Sequence, residues 1–214
     1  MMAGQMPGGM GEARCGRRGS AARLFAALSL AALVSGCAAL GGGSTPPSIY
    51  DLTVPATPPP AGSSTAQLLV PVPSAIEALD TARIAVNPSP MQISYFPAAQ
   101  WSDELPRLLQ AKLVRAFENS GRAGAVGRPG ESLTIDFQII VDIRNFAFDA
   151  AGDAAVVSLG VKILDDRTGR VVATRIFDTR SPSASDTAEA GVAALDRAAT
   201  DAIGQVIGWV LGRV

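Results

Sequence analysis

The chain has no histidine among its 214 residues, only two cysteines, and only two lysines, Lys112 and Lys162. Without histidine it lacks the commonest general base and a principal zinc ligand, so triad hydrolysis and most zinc chemistry lose a usual participant. Aromatic residues make up 5% of the composition, which leaves the core to Leu, Ile, Val and Ala. No apolar run reaches the about 20 residues needed to span a bilayer as a helix. The 18 basic and 19 acidic side chains nearly cancel. A chain so balanced carries no electrostatic footprint for nucleic acid.

What the sequence does have is concentrated first at its start. Arg14, Arg17, Arg18 and Arg23 precede the apolar run Leu24 to Val34, which gives way to the small residues Ser35 and Gly36 before Cys37. Positive, apolar, then small is the order of a secretory signal peptide. A core helix ending in a buried cysteine would leave the basic flank unexplained. Val34-Ser35-Gly36-Cys37 resembles the lipobox of bacterial lipoproteins. That resemblance implies cleavage between Gly36 and Cys37, a diacylglycerol thioether on Cys37 and a further acyl chain on its new amino group. No other cofactor is expected.

The chain then divides into residues 1–36 as signal peptide, 37–48 as lipidated tether and 49–214 as a single domain. Residues 38–48 are rich in Gly, Ser, Thr and Pro without an apolar face, the composition of a flexible linker. At about 3.3 Å per residue these 11 residues reach roughly 36 Å when extended. Cleavage would remove four Arg and one Glu, leaving 14 basic and 18 acidic groups and a net charge of −4. Cys15 would leave with the signal and Cys37 would be capped, so no thiol remains for a metal, a disulfide or nucleophilic attack.

In the domain, residues 49–54 read as a first strand, residues 55–67 as a Pro-rich loop, and residues 68–72, interrupted by Pro71 and followed by Pro73, as an edge segment at best. Residues 82–86 and 91–96 read as strands around Asn87-Pro88-Ser89-Pro90. Residues 103–120 form a helix by spacing, with Ser102 as N-cap, Leu105, Leu109, Leu113, Ala116 and Phe117 on one face, and Gly121 as a left-handed stop. From Leu133 to Ile143 every odd residue is apolar, the period of a half-buried strand. Residues 155–164 and 171–179 continue it as an antiparallel meander. Asp186, with Glu189 three residues on, reads as a capping box for a last helix with the stripe Val192, Leu195, Ala199, Ile203, Val206 and Val210. Core packing of residues 203–214 is preferred to membrane contact. The expected fold class is α+β: an antiparallel sheet with a three-stranded meander and two main helices packed on one face.

Nothing in the sequence assembles a reaction centre, and no catalytic or metal-ligating residues are expected. Asp149 with Asp153, and Asp165 with Asp166, lack the ligand spacing of an EF-hand and suit hairpin turns. Lys112 and Lys162, the only lysines a Ser-Lys pair could use, read as solvated surface. Tyr95, Phe96 and Trp101 admit two readings: a hydrophobic staple over the helix entry, or an anchor for a partner.

The stretch from Ile93 to Arg122, "ISYFPAAQWSDELPRLLQAKLVRAFENSGR", taken with "ALDTARIAV" (78–86), "AVGRPG" (125–130), "IYDL" (49–52) and the lipobox, resembles the ABC-type transport auxiliary lipoprotein family, over roughly residues 37 to 210. The family includes the paraquat-inducible lipoprotein. The resemblance implies a non-enzymatic, lipid-anchored periplasmic component. It would work with an MCE-domain protein, its permease and its ATPase to move phospholipids or related hydrophobic molecules between the inner and outer membranes. A homo-oligomer is implied as well. Ala38, where an Asp commonly marks inner-membrane retention in enteric bacteria, favours the outer membrane. The competing classes are a structural or assembly lipoprotein of the outer membrane and, less favoured, a lipid-modifying enzyme.

Overall fold

The longest strand, β7 (Phe137–Asp149), organises the sheet in the computed structural model, which describes residues 46–55 and 63–214. The signal segment, Cys37 and most of the tether lie outside the described residues. On one side β7 pairs antiparallel with β8 (Ala154–Asp165), which pairs antiparallel with β9 (Arg170–Pro182). This is the meander that the alternating pattern predicts. Val157, Leu159, Val161 and Ile163 are fully buried on one face of β8.

The other side of β7 departs from the expected antiparallel sheet. Three short strands, β2 (Gln67–Leu69), β3 (Ser74–Ala75) and β4 (Arg83–Ser89), follow one another along it, all parallel to it. Leu68 faces Phe137, Ser74 faces Asp142 and Ala85 faces Ala147. Pro71 and Pro73 separate β2 from β3, because proline has no N–H to contribute to a ladder. Beyond β4 lie β5 (Gln92–Trp101), antiparallel, and then β1 (Ser48–Tyr50), parallel to β5. β6 (Ala125–Gly127) runs parallel to β2. The sheet is therefore mixed. Segment 68–72 does not begin an edge: β2 lies between β6 and β7, and Leu68 is wholly buried.

The strand expected over residues 133–143 is shifted toward the C-terminus. Its odd residues Ile139, Val141 and Ile143 are buried as anticipated. A register shift between Ile143 and Asn145 then changes the phase, so that Phe146 and Phe148 are buried beyond it. One extra residue in a ladder turns every later side chain to the opposite face.

Helix α1 (Leu105–Ser120) starts two residues later than its polar N-cap signal implied. Ser102 lies in a bend just after β5, its N–H donating to the Tyr50 carbonyl, and Glu104 occupies the cap position without a side-chain bond. The Leu105 N–H donates instead to the Thr81 carbonyl at 3.1 Å. Gly121 ends α1 at φ 61°, the left-handed geometry glycine adopts without a Cβ clash. Helix α2 (Ala188–Leu211) is capped by Thr187, one residue after Asp186, and Glu189 stands in its first turn, favourable to the helix dipole.

Both helices share one core with the sheet: α2 lies along β7, β8 and β9, and α1 packs beside α2 and against β6. The apolar stripe of α2 is buried from Val192 to Val210. Trp209 meets Phe177 edge-on at 5.6 Å, which places the C-terminal turn in the core. No helix among the described residues is long and apolar enough to cross a membrane.

Candidate functional site

The N-terminal end of the described domain is fastened at four successive residues, 50–53. Tyr50 closes the short parallel pairing with β5. Asp51 accepts from Lys112 Nζ at 2.7 Å, from Ser102 Oγ at 3.2 Å and from the Leu52 N–H at 2.9 Å. Leu52 is buried. Thr53 donates its N–H to Asp196 Oδ1 at 2.7 Å and its hydroxyl to Asp196 Oδ2 at 2.9 Å. The short segment "IYDL" and Thr53 thus tie the start of the domain to both helices. A pull on the preceding chain would be shared by α1, α2 and β5.

Lys112 is the surprise of this clip. It sits on α1, and only 5% of its surface is exposed. A lysine ammonium is buried only when paired, and Asp51 supplies the pair. Gln110 is likewise buried and donates to the Val70 carbonyl at 2.9 Å. The signal for both was available, since each lies within four residues of Leu109 and Leu113 on the flank of the apolar stripe.

Partial burial pushes the Asp51 carboxyl up. The hydrogen bonds from Lys112 and the Leu52 N–H, the Lys112 charge and the Ser102 hydroxyl outweigh that effect, holding it below the ordinary 3.8. A carboxyl depressed in the folded state stabilises fully above its unfolded value, and the contribution is lost as pH falls through the lower, folded value. The Asp51 side chain is 59% exposed and that of Lys112 7%, so the pair lies between a screened surface bridge and a buried one. Asp51→Asn is therefore expected to cost about 1–2 kcal/mol at neutral pH. Urea melts at pH 7 and at about pH 3 should show the gap between wild type and variant narrowing in acid. A gap unchanged across that range would refute the assignment.

The three aromatic candidates do not come together as one patch. Trp101 is 1% exposed and packs edge-on against Phe146 at 5.9 Å, so it is unavailable to a partner. Phe96 is half-buried against Phe148, 5.6 Å away, and its ring fills the space a Cβ on Gly191 of α2 would need. Tyr95 lies under the Arg83 guanidinium, 3.7 Å from the ring centre, and donates its hydroxyl to the Ala78 carbonyl. Neighbours along a strand point to opposite faces, which separates Tyr95 from Phe96.

The acidic turns hold structure. Asp165 accepts from the Thr168 N–H and hydroxyl, both at 2.8 Å, and these bonds hold its carboxyl below the ordinary range. Asp149 pairs with Arg180 at 3.0 Å. Among the described residues, no three His, Cys, Asp or Glu side chains are placed to hold a metal ion.

The described residues thus form an α+β domain with both helices on one face of a mixed sheet, the other face open, and the N-terminal segment clipped to both helices. The chain belongs to the ABC-type transport auxiliary lipoprotein component family, whose sequence profile matches residues 50–206. This is a family of transport components and not of enzymes, and its members are lipoproteins associated with ABC transport. An uncharacterized protein of Bradyrhizobium diazoefficiens is 34% identical over 174 residues, which is 80% of this chain and 47% of that protein. The chain thus spans about half the length of the curated relative it matches. The crystal structure of protein XCC0632 from Xanthomonas campestris shares 37% identity and superposes with a TM-score of 0.71, covering 77% of this chain and 95% of the other. A second solved structure, at 17% identity and a TM-score of 0.63 over 77% of this chain and 99% of its own, shows the same fold.

Proposed function

We propose that this protein is the lipid-anchored periplasmic accessory of an MCE-type ABC transporter, held to the membrane by acylated Cys37. It would assist the movement of phospholipids or related hydrophobic molecules between inner and outer membranes. The observation that carries the reading is the family match across residues 50–206 in a chain whose residues 34–37 resemble a lipobox. The clip at Asp51, Leu52 and Thr53 supports it mechanically, because a domain tethered at one end needs that end fixed to its core. Ala38 favours the outer membrane as the site of the anchor. The strand β9 supports a homo-oligomer: among the described residues it pairs only with β8 and leaves Val171, Val172 and Ile176 about half exposed along its length. An edge of that kind is a template for strand addition by a second copy.

The test is affinity purification of the full-length protein from its own membranes after mild crosslinking. Recovery of an MCE-domain protein with its permease and ATPase, and a mass by light scattering above one copy, is the expected result. Recovery of a β-barrel or cell-wall protein without transporter subunits would overturn the reading in favour of an assembly lipoprotein.

A further inference from the structure

The face of the meander turned away from the helices has a depression of about 370 Å³, at the small end of the range for ligand sites. Gly160 of β8 is at its centre, between Asp142 of β7 and Ile176 of β9 in the strand register. Glycine in a strand interior loses stability through entropy and lost packing. Its φ lies outside the left-handed range, since Gly121, Gly130 and Gly169 are the glycines at positive φ among the described residues. Backbone conformation therefore does not require glycine here. A Cβ at Gly160 would lie 3.3 Å from Arg144 Cδ, a flexible side chain that would have to give slightly, and 3.7 Å from Asp142 Cβ, an ordinary contact, so what the glycine contributes is a bare floor between these side chains.

The charges around this glycine are also unlike the rest of the face. Arg180 pairs with Asp149, Gln138 with Asp166, and Ser158 with Asp178 across the strands. Arg144 and Lys162, which line the depression, have no carboxylate at ion-pair distance among the described residues. Asp142 is engaged by Ser74 Oγ at 2.9 Å. Ile140 and Ile176 add apolar walls, with Ile176 48% exposed. Two unpaired cations over a glycine floor, flanked by two isoleucines, are complementary to one kind of molecule: an oxyanion joined to a short apolar chain.

We propose that this depression binds the phosphate-type head of an anionic amphiphile, with Arg144 and Lys162 on the anion and Ile140 and Ile176 on the adjoining methylenes. Asp142 opposes further negative charge and so limits the site to a compact head. The inference stands on the open face alone and does not depend on the transporter partnership.

The experiment uses the full-length lipidated protein in phosphatidylcholine nanodiscs, titrated calorimetrically with hexyl phosphate, inorganic phosphate or hexanol. Hexyl phosphate is expected to bind saturably, with the other two about tenfold weaker or more, because each offers only half of the complementarity. The double variant Arg144→Gln with Lys162→Gln should weaken hexyl phosphate by about tenfold or more, and Asp142→Asn should tighten it by roughly two- to fivefold, through lost attraction and lost repulsion. Gly160→Val should abolish binding by filling the floor. The two charge variants lie on the open surface, so they decide the matter even where the glycine variant fails to fold. No saturable binding, equal binding of inorganic phosphate, an unaffected double variant, or a weaker Asp142→Asn variant would each overturn the proposal.

Discussion

Changing Cys37 to serine is expected to abolish acylation and leave residues 1–36 attached, converting a permanently membrane-held product into an unprocessed precursor. The expected effect is large because anchoring rests on added hydrocarbon. Each buried methylene contributes about 0.8 kcal/mol, a single myristoyl chain gives only reversible binding near 10⁴ M⁻¹, and stable residence takes two signals. The three chains proposed for Cys37 would exceed that requirement, and their loss would remove nearly all of the membrane affinity. The apolar run Leu24 to Val34 has 11 residues, well short of the about 20 needed to replace them by spanning. Intact mass spectrometry checks both parts: wild type should begin at an acylated Cys37, and the variant should retain the arginine-rich start without added acyl mass. A wild-type product with a bare thiol and an uncleaved amino-terminal segment would refute the anchor.

Trp101→Ala should be the most destabilising of the aromatic truncations considered. Trp101 of β5 is 1% exposed and makes an edge-on contact with Phe146 of β7, two strands away in the sheet. Truncating a buried tryptophan removes transfer free energy and leaves a cavity, together about 3–5 kcal/mol. Domains of this kind hold about 5–15 kcal/mol in all, so one substitution removes a large fraction. With about 2–4 °C per kcal/mol at this chain length, the melting midpoint should fall by roughly 6–20 °C. Tyr95→Ala, at a half-buried ring, should produce a clearly smaller drop. A melting temperature lowered by less than about 2 °C for Trp101→Ala would mean that the ring is not in the core.

Those two positions mark how far the sequence could be read. The lipobox-like stretch ending at Cys37, on residues outside the described ones, is a contiguous pattern, so the expectation drawn from its order of charge, oil and small residues needs no tertiary context. Both helices and the meander were legible for a similar reason. The stripe from Leu105 to Phe117, the stripe from Val192 to Val210, and the alternation through β7 and β8 each repeat at the period of their own backbone. The strand at 82–86 was read and corresponds to β4, but the parallel pairing of β2, β3 and β4 with β7 was not legible. β2 and β3 are three and two residues long, too short to establish a period, and the partner β7 comes much later in the chain. Trp101 presented an aromatic beside a helix start, a signal shared by a staple, a partner anchor and a core residue.

Two further features show the same boundary from the side of polar residues. Lys112 reads as surface because lysine usually is, and only the arrival of Asp51 from the far end of the domain explains its burial. Gly160 reads as an unremarked residue in a strand, yet in the folded sheet it is the floor beneath Arg144 and Lys162.

By itself the sequence determined the fold class, the two helical faces, the antiparallel meander and the expectation of an acylated Cys37, since each depends on neighbours a few residues apart. Tertiary structure decided the parallel half of the sheet, the pairing of Asp51 with Lys112, the burial of Trp101 and the convergence of two cations over Gly160. Such contacts join residues that are remote along the chain, and a local period carries no information about which distant segment will lie alongside.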